Sequence, residues 1–529
     1  MATERYDYVI VGAGSSGSAL AARLSENGRH SVAVLEAGKE QRPKTTAIPA
    51  ALVRTIGDKR YDWQYLSQPD PTRNGRLEPW PRGRGPGGSG LINGMIFVRG
   101  APADYDAWRE LGATGWGYSD VLPNFKRMES VHGIEGELRG QSGPQSVSAL
   151  RYVHPVTRLF VESAQNAGIP FTPDYNGAIQ DGVGFVQAAQ RAGRRHSPFD
   201  AFLQPAVAAG RVRLIQEARV QRVVFEGRTA RGVAYLSPDG STHVVEANKL
   251  VVLSAGSINT PQLLMLSGVG PAGELTTLGI APVFDAPEVG ANLMEHAGAW
   301  MRASLDVPTL NSHATPARKA LALMRWVGGG GGPATTPTAQ SVAFVRTQDG
   351  LDSPDIQIHF AAFGFTGPAQ TDPRQQLVMV VPSVNHPESR GAIKLASSDP
   401  QAAPLILPRL LDSARDMATM RRGVRLCRAI LEARPMSRHL VQLLESPPED
   451  DEALDAFIRA ASGPLYHPVG TCRMGSDERS VVRPDLMVRG VDKLAVADVS
   501  IMPRHISGNT HAAALMIGDK AADLFRSIT

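Results

Sequence analysis

Tyr8-Val9-Ile10-Val11-Gly12-Ala13-Gly14-Ser15-Ser16-Gly17 is the stretch on which the fold turns. An apolar strand runs straight into three spaced glycines and then into the amphipathic segment Ser18 to Asn27. Each glycine has its own task in a dinucleotide-binding turn. Gly12 permits the tight strand-to-helix reversal, Gly14 lets a pyrophosphate approach bare backbone, and Gly17 lets the helix pack against the strand. Ser15 and Ser16 open that helix, whose N-terminus faces the phosphates. A second strand, Ser31 to Leu35, ends on Glu36 and Ala37. A carboxylate at that strand tip suits the two hydroxyls of a ribose and repels the extra phosphate of NADP.

Bulk properties bound the remaining possibilities. A chain of 529 residues divides into two or three domains on the usual length prior. With 42% hydrophobic and 20% charged residues it is an ordinary globular composition. The 55 basic and 51 acidic residues leave a net charge of +4 without any long single-sign block, so nucleic-acid binding is not indicated. Cys427 and Cys472 are the only cysteines, too few for a disulfide framework and without the spacing of a zinc site, so no metal is expected. No apolar run reaches the length that spans a bilayer, and the N-terminus lacks the pattern of a secretory signal. The expected location is cytoplasmic, with peripheral attachment to a membrane left open.

Along the chain, Gly, Pro and Trp are dense from the first dinucleotide unit to residue 120, which reads as extended loops. Val212 to Ile215, Arg219 to Phe225, Gly232 to Leu236 and Leu250 to Leu253 read as short strands, the last returning to the nucleotide sheet. Gly328 to Gly332 reads as a mobile loop or hinge. Beyond it, Asp355 to Phe360, Gln376 to Val381 and Gly391 to Leu395 are further strands, and Asp412 to Ala433 has the spacing of a helix covering their sheet. A final helix is expected from Thr510 to Arg526. The fold class is therefore α/β, with a Rossmann-type unit and a second, sheet-and-helix region.

Four further segments, in order, are similar to the signatures of one family. They are Gly83-Arg84-Gly85-Pro86-Gly87-Gly88-Ser89-Gly90-Leu91-Ile92-Asn93-Gly94, the run Gly256 to Gly270, the run Tyr466-His467-Pro468-Val469-Gly470-Thr471-Cys472-Arg473-Met474-Gly475, and Ala497 to Pro503 followed by Ser507-Gly508-Asn509-Thr510. With these the chain resembles the glucose-methanol-choline oxidoreductases, FAD-dependent alcohol oxidases and dehydrogenases. The resemblance implies a discontinuous FAD-binding domain of residues 1–150, 190–300 and 463–529, and a substrate-binding domain of residues 151–189 and 301–462. It also implies FAD contacts from Gly88, Ser89, Asn93, Gly94, Met95, Val220, Ala255, Gly256, Asp498, Val499, Thr510 and His511, besides Gly12, Gly14, Ser15, Ser16, Gly17, Glu36 and Ala37. Pro86 and Gly90 depart from the family pattern. Ile92 stands where some relatives carry a histidine bonded to the flavin, so noncovalent FAD is expected.

Oxidising an alcohol requires a proton acceptor near the hydroxyl, and a near-neutral imidazole suits that work. His467 matches the family's catalytic histidine. His511 matches the second catalytic position, where dehydrogenase-like relatives often have Asn and sugar- or aryl-alcohol-type relatives have His; its ring can hydrogen-bond the substrate oxygen. If the last helix points at the flavin pyrimidine, its free donors favour the anionic reduced flavin. Phe363, Phe365, Tyr466 and Asn509 are candidate pocket residues, with His505 an even choice between pocket and backbone support; His359 and His386 read as packing, and His296 as structural. The expected substrate is a small-molecule primary alcohol on an aromatic or moderately apolar body, with a choline- or sugar-type alcohol, or a hydroxynitrile lyase reaction on the same fold, as alternatives. The electron acceptor is O2 or, by preference, a quinone or other carrier; the oligomeric state is open.

Overall fold

Glu4–Val11 is a strand whose last four residues, Tyr8 to Val11, are buried on both faces, the mark of a strand inside a parallel sheet. In the computed structural model, which describes residues 4–40, 44–367 and 370–527, it pairs in parallel with Val32–Leu35 on one side and with Thr242–Leu253 on the other. Val212–Ile215 extends the sheet beyond Val32–Leu35, and Leu494–Val496 extends it beyond the C-terminal half of Thr242–Leu253, both in parallel. The carboxyl ends of these strands therefore share one edge, the place where open α/β sheets bind ligands. The strand expected near Leu250 begins at Thr242 because its first half has separate partners. Thr229–Leu236 and then Arg219–Glu226 continue from it as an antiparallel extension.

Helix Ser15–Ser25 crosses between the first two strands, and the glycines set how closely. A Cβ at Gly17 would sit 2.0 Å from the Gly12 carbonyl oxygen, and Gly12 itself is at φ +102° with Ser254 O 2.5 Å from any added Cβ. The last helix, His511–Arg526, lies on Ser15–Ser25: Gly518 leaves no room for a Cβ, which would meet Ser16 O at 2.1 Å, and Ser16 Oγ donates to Ala514 O at 2.7 Å. The two ends of the chain thus close one unit.

A second, antiparallel sheet runs Leu440–Leu443, Met301–Leu305, Leu377–Val384, Ile356–Ala361, Ser341–Val345, Gly182–Phe185, with Ala297–Ala299 and Ser462–Pro464 at its side. Period-two alternation in Ile356–Ala361 gives the sheet two faces. Ile356, Ile358 and Phe360 join the core beneath helix Ala414–Glu432, with Met417, Met420 and Val424. His359 and Ala361 face the other way, into a cavity.

The glycine run differs from its reading as a mobile hinge. Gly328 and Gly329 are the last turn of helix Pro316–Gly329, and Gly330, at φ +61°, ends it by donating its N–H to Trp326 O at 2.7 Å. A Cβ on Gly330 would lie 2.1 Å from Ala192 O, so that glycine serves close packing.

Candidate active site

A cavity of about 440 Å³ opens at the carboxyl ends of the parallel strands. Gly12, Gly14, Ser15, Ser16, Glu36, Ala37, Gly88, Ser89, Asn93, Gly94, Met95, Val220, Ala255, Gly256, Asp498, Val499, Thr510 and His511 all line it. Gly17 does not, and its work is the helix packing just described. Three helices begin at the cavity wall, at Ser15, Gly256 and His511, so unpaired backbone N–H groups and the positive ends of three helix dipoles converge there.

The wall suits a dinucleotide. A Cβ on Gly14 would have no neighbour nearer than Ser254 O at 4.0 Å, so this glycine leaves open space at the first helix N-terminus, where a pyrophosphate needs it. Glu36 is buried, and its carboxylate accepts N–H bonds from Ala13 at 3.0 Å, Gly38 at 2.9 Å and Gly85 at 2.9 Å, tying the glycine turn to the Gly83–Gly94 loop. Asp498 accepts from Gly256 N at 2.9 Å, Thr260 Oγ1 at 2.6 Å and Ser500 N at 2.8 Å, which fixes the start of helix Gly256–Leu266.

From the second sheet and its flanks, Trp300, Thr338, His359, Ala361, Met379 and Val381 complete the cavity together with Leu465, Tyr466, His467 and Asn509. Phe363 and Phe365 do not line it. They follow the strand that ends at Ala361 and pack edge-to-face on each other at 5.4 Å. The residues that replace them in the cavity were hidden for different reasons. His359 stands at an odd position of an alternating strand, a visible signal whose inward sense only the sheet packing decides, whereas Trp300 and Thr338 carry no local signal.

His467 sits in a chain of hydrogen bonds whose direction is determined by its ends. His296 Nε2 lies 2.9 Å from Asn385 O and 3.2 Å from Ile506 O. Carbonyls only accept, so His296 carries its proton on Nε2 and its Nδ1 is an acceptor. His467 Nδ1, 3.1 Å away, must then be the donor. That leaves the lone pair of His467 on Nε2, where Asn509 Nδ2 donates to it at 3.0 Å. Asn509 Oδ1 in turn accepts from Gln357 Nε2 at 3.1 Å and lies 3.5 Å from His359 Nε2. His505 supports the same arrangement from below, stacked on His296 at 3.6 Å and donating from Nε2 to His467 O at 2.9 Å. His511, by contrast, turns its Nδ1 to Ser15 Oγ at 3.2 Å, in the glycine turn. His386 bonds Asp104 at 2.8 Å, outside the cavity lining.

Burial keeps these rings neutral. It holds His467 and His296 well below the ordinary histidine value, with the neighbouring imidazoles adding to the effect, and takes His359, His505 and His511 down to about 4. Glu295, which accepts the His467 backbone N–H at 2.7 Å, is pushed by burial up to about 8, and the Tyr466 hydroxyl up to about 12. Tyr466 also has φ +68°, a costly conformation for a non-glycine residue that is held directly beside His467.

A dinucleotide cradle facing a neutral imidazole is the arrangement of an oxidoreductase site. GMC oxidoreductase N- and C-terminal family models match residues 6–298 and 387–518, and the chain belongs to the GMC oxidoreductase family. It is 40% identical over 522 residues to an oxygen-dependent choline dehydrogenase of Rhizobium etli, covering 98% of this chain and 95% of that protein. Among solved structures, pyridoxine 4-oxidase from Mesorbium loti superposes with a TM-score of 0.88 at 30% identity, covering 98% of this chain and 99% of the other. A formate oxidase of Aspergillus oryzae, in a variant studied for FAD modification, gives 0.92 at 25% identity over 99% and 98% of the two chains. The protein is an FAD-dependent alcohol oxidoreductase.

Two outcomes are expected. Gly17→Ala forces a Cβ to 2.0 Å from Gly12 O and destabilises the fold by about 3 kcal/mol, whereas Gly14→Ala unfolds like the parent but retains less flavin after gel filtration. Thermal unfolding with FAD absorbance separates the two. The buried histidines also make stability fall in acid. Each has a folded pKa below its unfolded value near 6.5, so the unfolded state binds more protons as pH drops, and each histidine costs up to about 1.4 kcal/mol per pH unit below that point. Glu295, raised to about 8, works in the opposite sense between pH 4.5 and 8 and offsets one of them. The unfolding midpoint should therefore drop steeply from pH 6.5 to pH 5.

Proposed function

We propose that the chain oxidises a primary alcohol on an uncharged aromatic or moderately apolar body, with His467 as the base. The observation that carries this reading is the outward lone pair on His467 Nε2, fixed by the His296–Asn385 anchor. In the resting protein Asn509 Nδ2 occupies that lone pair. A substrate hydroxyl entering the cavity replaces it, donates to Nε2 and then yields its proton there. Asn509 Nδ2, beside His467 Nε2, is proposed to hydrogen-bond the substrate oxygen as it gains alkoxide character, while His511, turned to Ser15 Oγ in the glycine turn, is proposed as a cofactor contact. Bound FAD supplies the acceptor for the two electrons that leave the carbinol carbon as hydride.

Cofactor contacts are proposed for the glycine turn, Glu36, Ala37, Gly88, Ser89, Asn93, Gly94, Met95, Val220, Ala255, Gly256, Asp498, Val499, Thr510 and His511, within a flavin domain of residues 1–150, 190–300 and 463–529. Residues 151–189 and 301–462 then carry the substrate side. Ile92 lines the cavity without a nucleophilic atom, which supports noncovalent FAD; acid precipitation should leave the flavin in the supernatant.

The substrate class rests on the second-sheet lining. Trp300, Met379, Val381, Leu465 and Tyr466 are aromatic or aliphatic, His359 is neutral, and the carboxylates in the cavity wall, Glu36 and Asp498, are committed to backbone and hydroxyl donors. Choline is the second reading, favoured by the Rhizobium relative and by the faces of Trp300 and Tyr466, which suit a quaternary ammonium. A quinone or other carrier is proposed as acceptor in place of O2, on the likeness of the segments around His467 and Asn509 to choline-dehydrogenase-like proteins.

Anaerobic addition of aromatic, aliphatic, sugar and choline alcohols should bleach the flavin band with the aromatic or aliphatic members most efficient, and admitted air should restore it only slowly. Bleaching by choline alone favours the second reading, and no bleaching by any alcohol overturns both. His467→Ala should lower kcat by about 10²–10⁴ with FAD retained. Asn509→Asp should be more damaging than Asn509→Ala, because a carboxylate draws a proton onto His467 Nε2 and occupies the base; comparing their pH–rate profiles checks this.

A further inference from the structure

Helix Pro316–Gly329 is amphipathic in the wrong sense for a soluble surface. A surface helix ordinarily turns its apolar stripe inward. Here the side that meets the protein is anchored by Trp326, which is 4% exposed, donates from Nε1 to Gly193 O at 2.8 Å and lies under the Arg194 guanidinium at 4.1 Å. Ala317, Ala320, Leu321, Met324 and Val327 recur at spacings of three and four on the outward side, with Leu323 beside them. Leu321, Leu323, Met324 and Val327 are 44%, 45%, 64% and 66% exposed, a contiguous run of large apolar side chains without cover.

The flanks of that stripe are basic. Arg318 and Arg325 border it on one side and Lys319 on the other, all exposed; the helix holds no Asp or Glu, and none of the three cations is ion-paired among the described residues. The helix packs on Pro333–Thr335, which packs on Pro49–Arg54, and Leu52 and Ile56 line the mouth of the active-site cavity. Val53 and Ile56 are themselves 43% and 37% exposed.

We propose that this face seats on an anionic lipid surface, with Leu321, Leu323, Met324 and Val327 entering the acyl boundary and Arg318, Lys319 and Arg325 meeting the headgroups. An apolar stripe flanked by cations is the pattern of helices that lie in a membrane interface. No described helix is long and apolar enough to cross a membrane, so this one rests on the surface. A second copy of the chain is the poorer occupant, because two such faces would set three cations from each partner together without a carboxylate. Seated this way, the protein holds its cavity mouth close to the bilayer, where apolar alcohols and lipid-dissolved electron carriers concentrate.

The test is flotation of the FAD-loaded full chain with vesicles of phosphatidylcholine alone and of phosphatidylcholine mixed with phosphatidylglycerol. The chain should float with the mixed vesicles, less with the neutral ones, and less again as salt is raised. The double variant Met324→Glu/Val327→Glu should lose at least about tenfold in vesicle partitioning while keeping its flavin, unfolding midpoint and rate on a soluble alcohol. Val441→Glu, at another exposed apolar position, should float like the parent. Absence of flotation, flotation unchanged in the double variant, or a concentration-dependent dimer in sedimentation that the double variant abolishes would each overturn the proposal, the last in favour of a second copy. Failure of alcohol to bleach the flavin would leave the flotation result untouched, so the two readings fail separately.

Discussion

A backbone carbonyl decides the chemistry of this site. Asn385 O can only accept, so it fixes the proton of His296 on Nε2 at 2.9 Å, and every hydrogen bond from there to Gln357 acquires one direction. The outcome is a His467 whose ring nitrogens both meet neutral partners, His296 and Asn509, while the Glu295 carboxyl beside it accepts only its backbone N–H. Burial enforces the same state from another side, because an imidazolium among His296, His505 and His359 would be desolvated and repelled. Buried histidines are often oriented by an anionic partner; here a neutral imidazole and a peptide group do that work.

The architecture supplies what this chain of bonds needs. His296 precedes Ala297–Ala299 and His467 follows Ser462–Pro464, two short strands paired antiparallel at Gly298 and Gly463. Gln357 and His359 come from the adjoining part of the same sheet, and Asn509 from the turn before the last helix. That helix is locked onto Ser15–Ser25 by Gly518 and Ser16. The hydrogen-bonded histidines and the dinucleotide cradle are therefore set relative to each other by one helix pair and one sheet, with backbone contacts too close to tolerate a methyl group.

Much of this was legible in the sequence. The strand–glycine–helix unit and the carboxylate at Glu36 announce themselves because their physics is local: tight turns, bare backbone and helix starts; Gly88, Ser89, Asn93, Gly94 and Met95 are visible only through the family resemblance of their loop. His467 is visible through the motif around it. His296 is not, since its importance lies in a contact across 171 residues that no periodicity records. Phe363 and Phe365 fall outside the cavity lining for a related reason. Aromatic residues just past a strand look like a wall in one dimension, but the strand ends at Ala361 and the inward face belongs to His359 and Ala361. The glycine run near residue 330 likewise looked like slack, whereas contact between two backbones, at Gly330 and Ala192, explains it.

The claim at the centre is the protonation pattern of two imidazoles, and it can be observed directly. Nitrogen-15 NMR of histidine-labelled, FAD-loaded protein at neutral pH, assigned through His467→Gln and His296→Gln, reads which ring nitrogen carries each proton. The account predicts a neutral His467 protonated on Nδ1 and a neutral His296 protonated on Nε2. A His467 protonated on Nε2, or present as imidazolium, would contradict it.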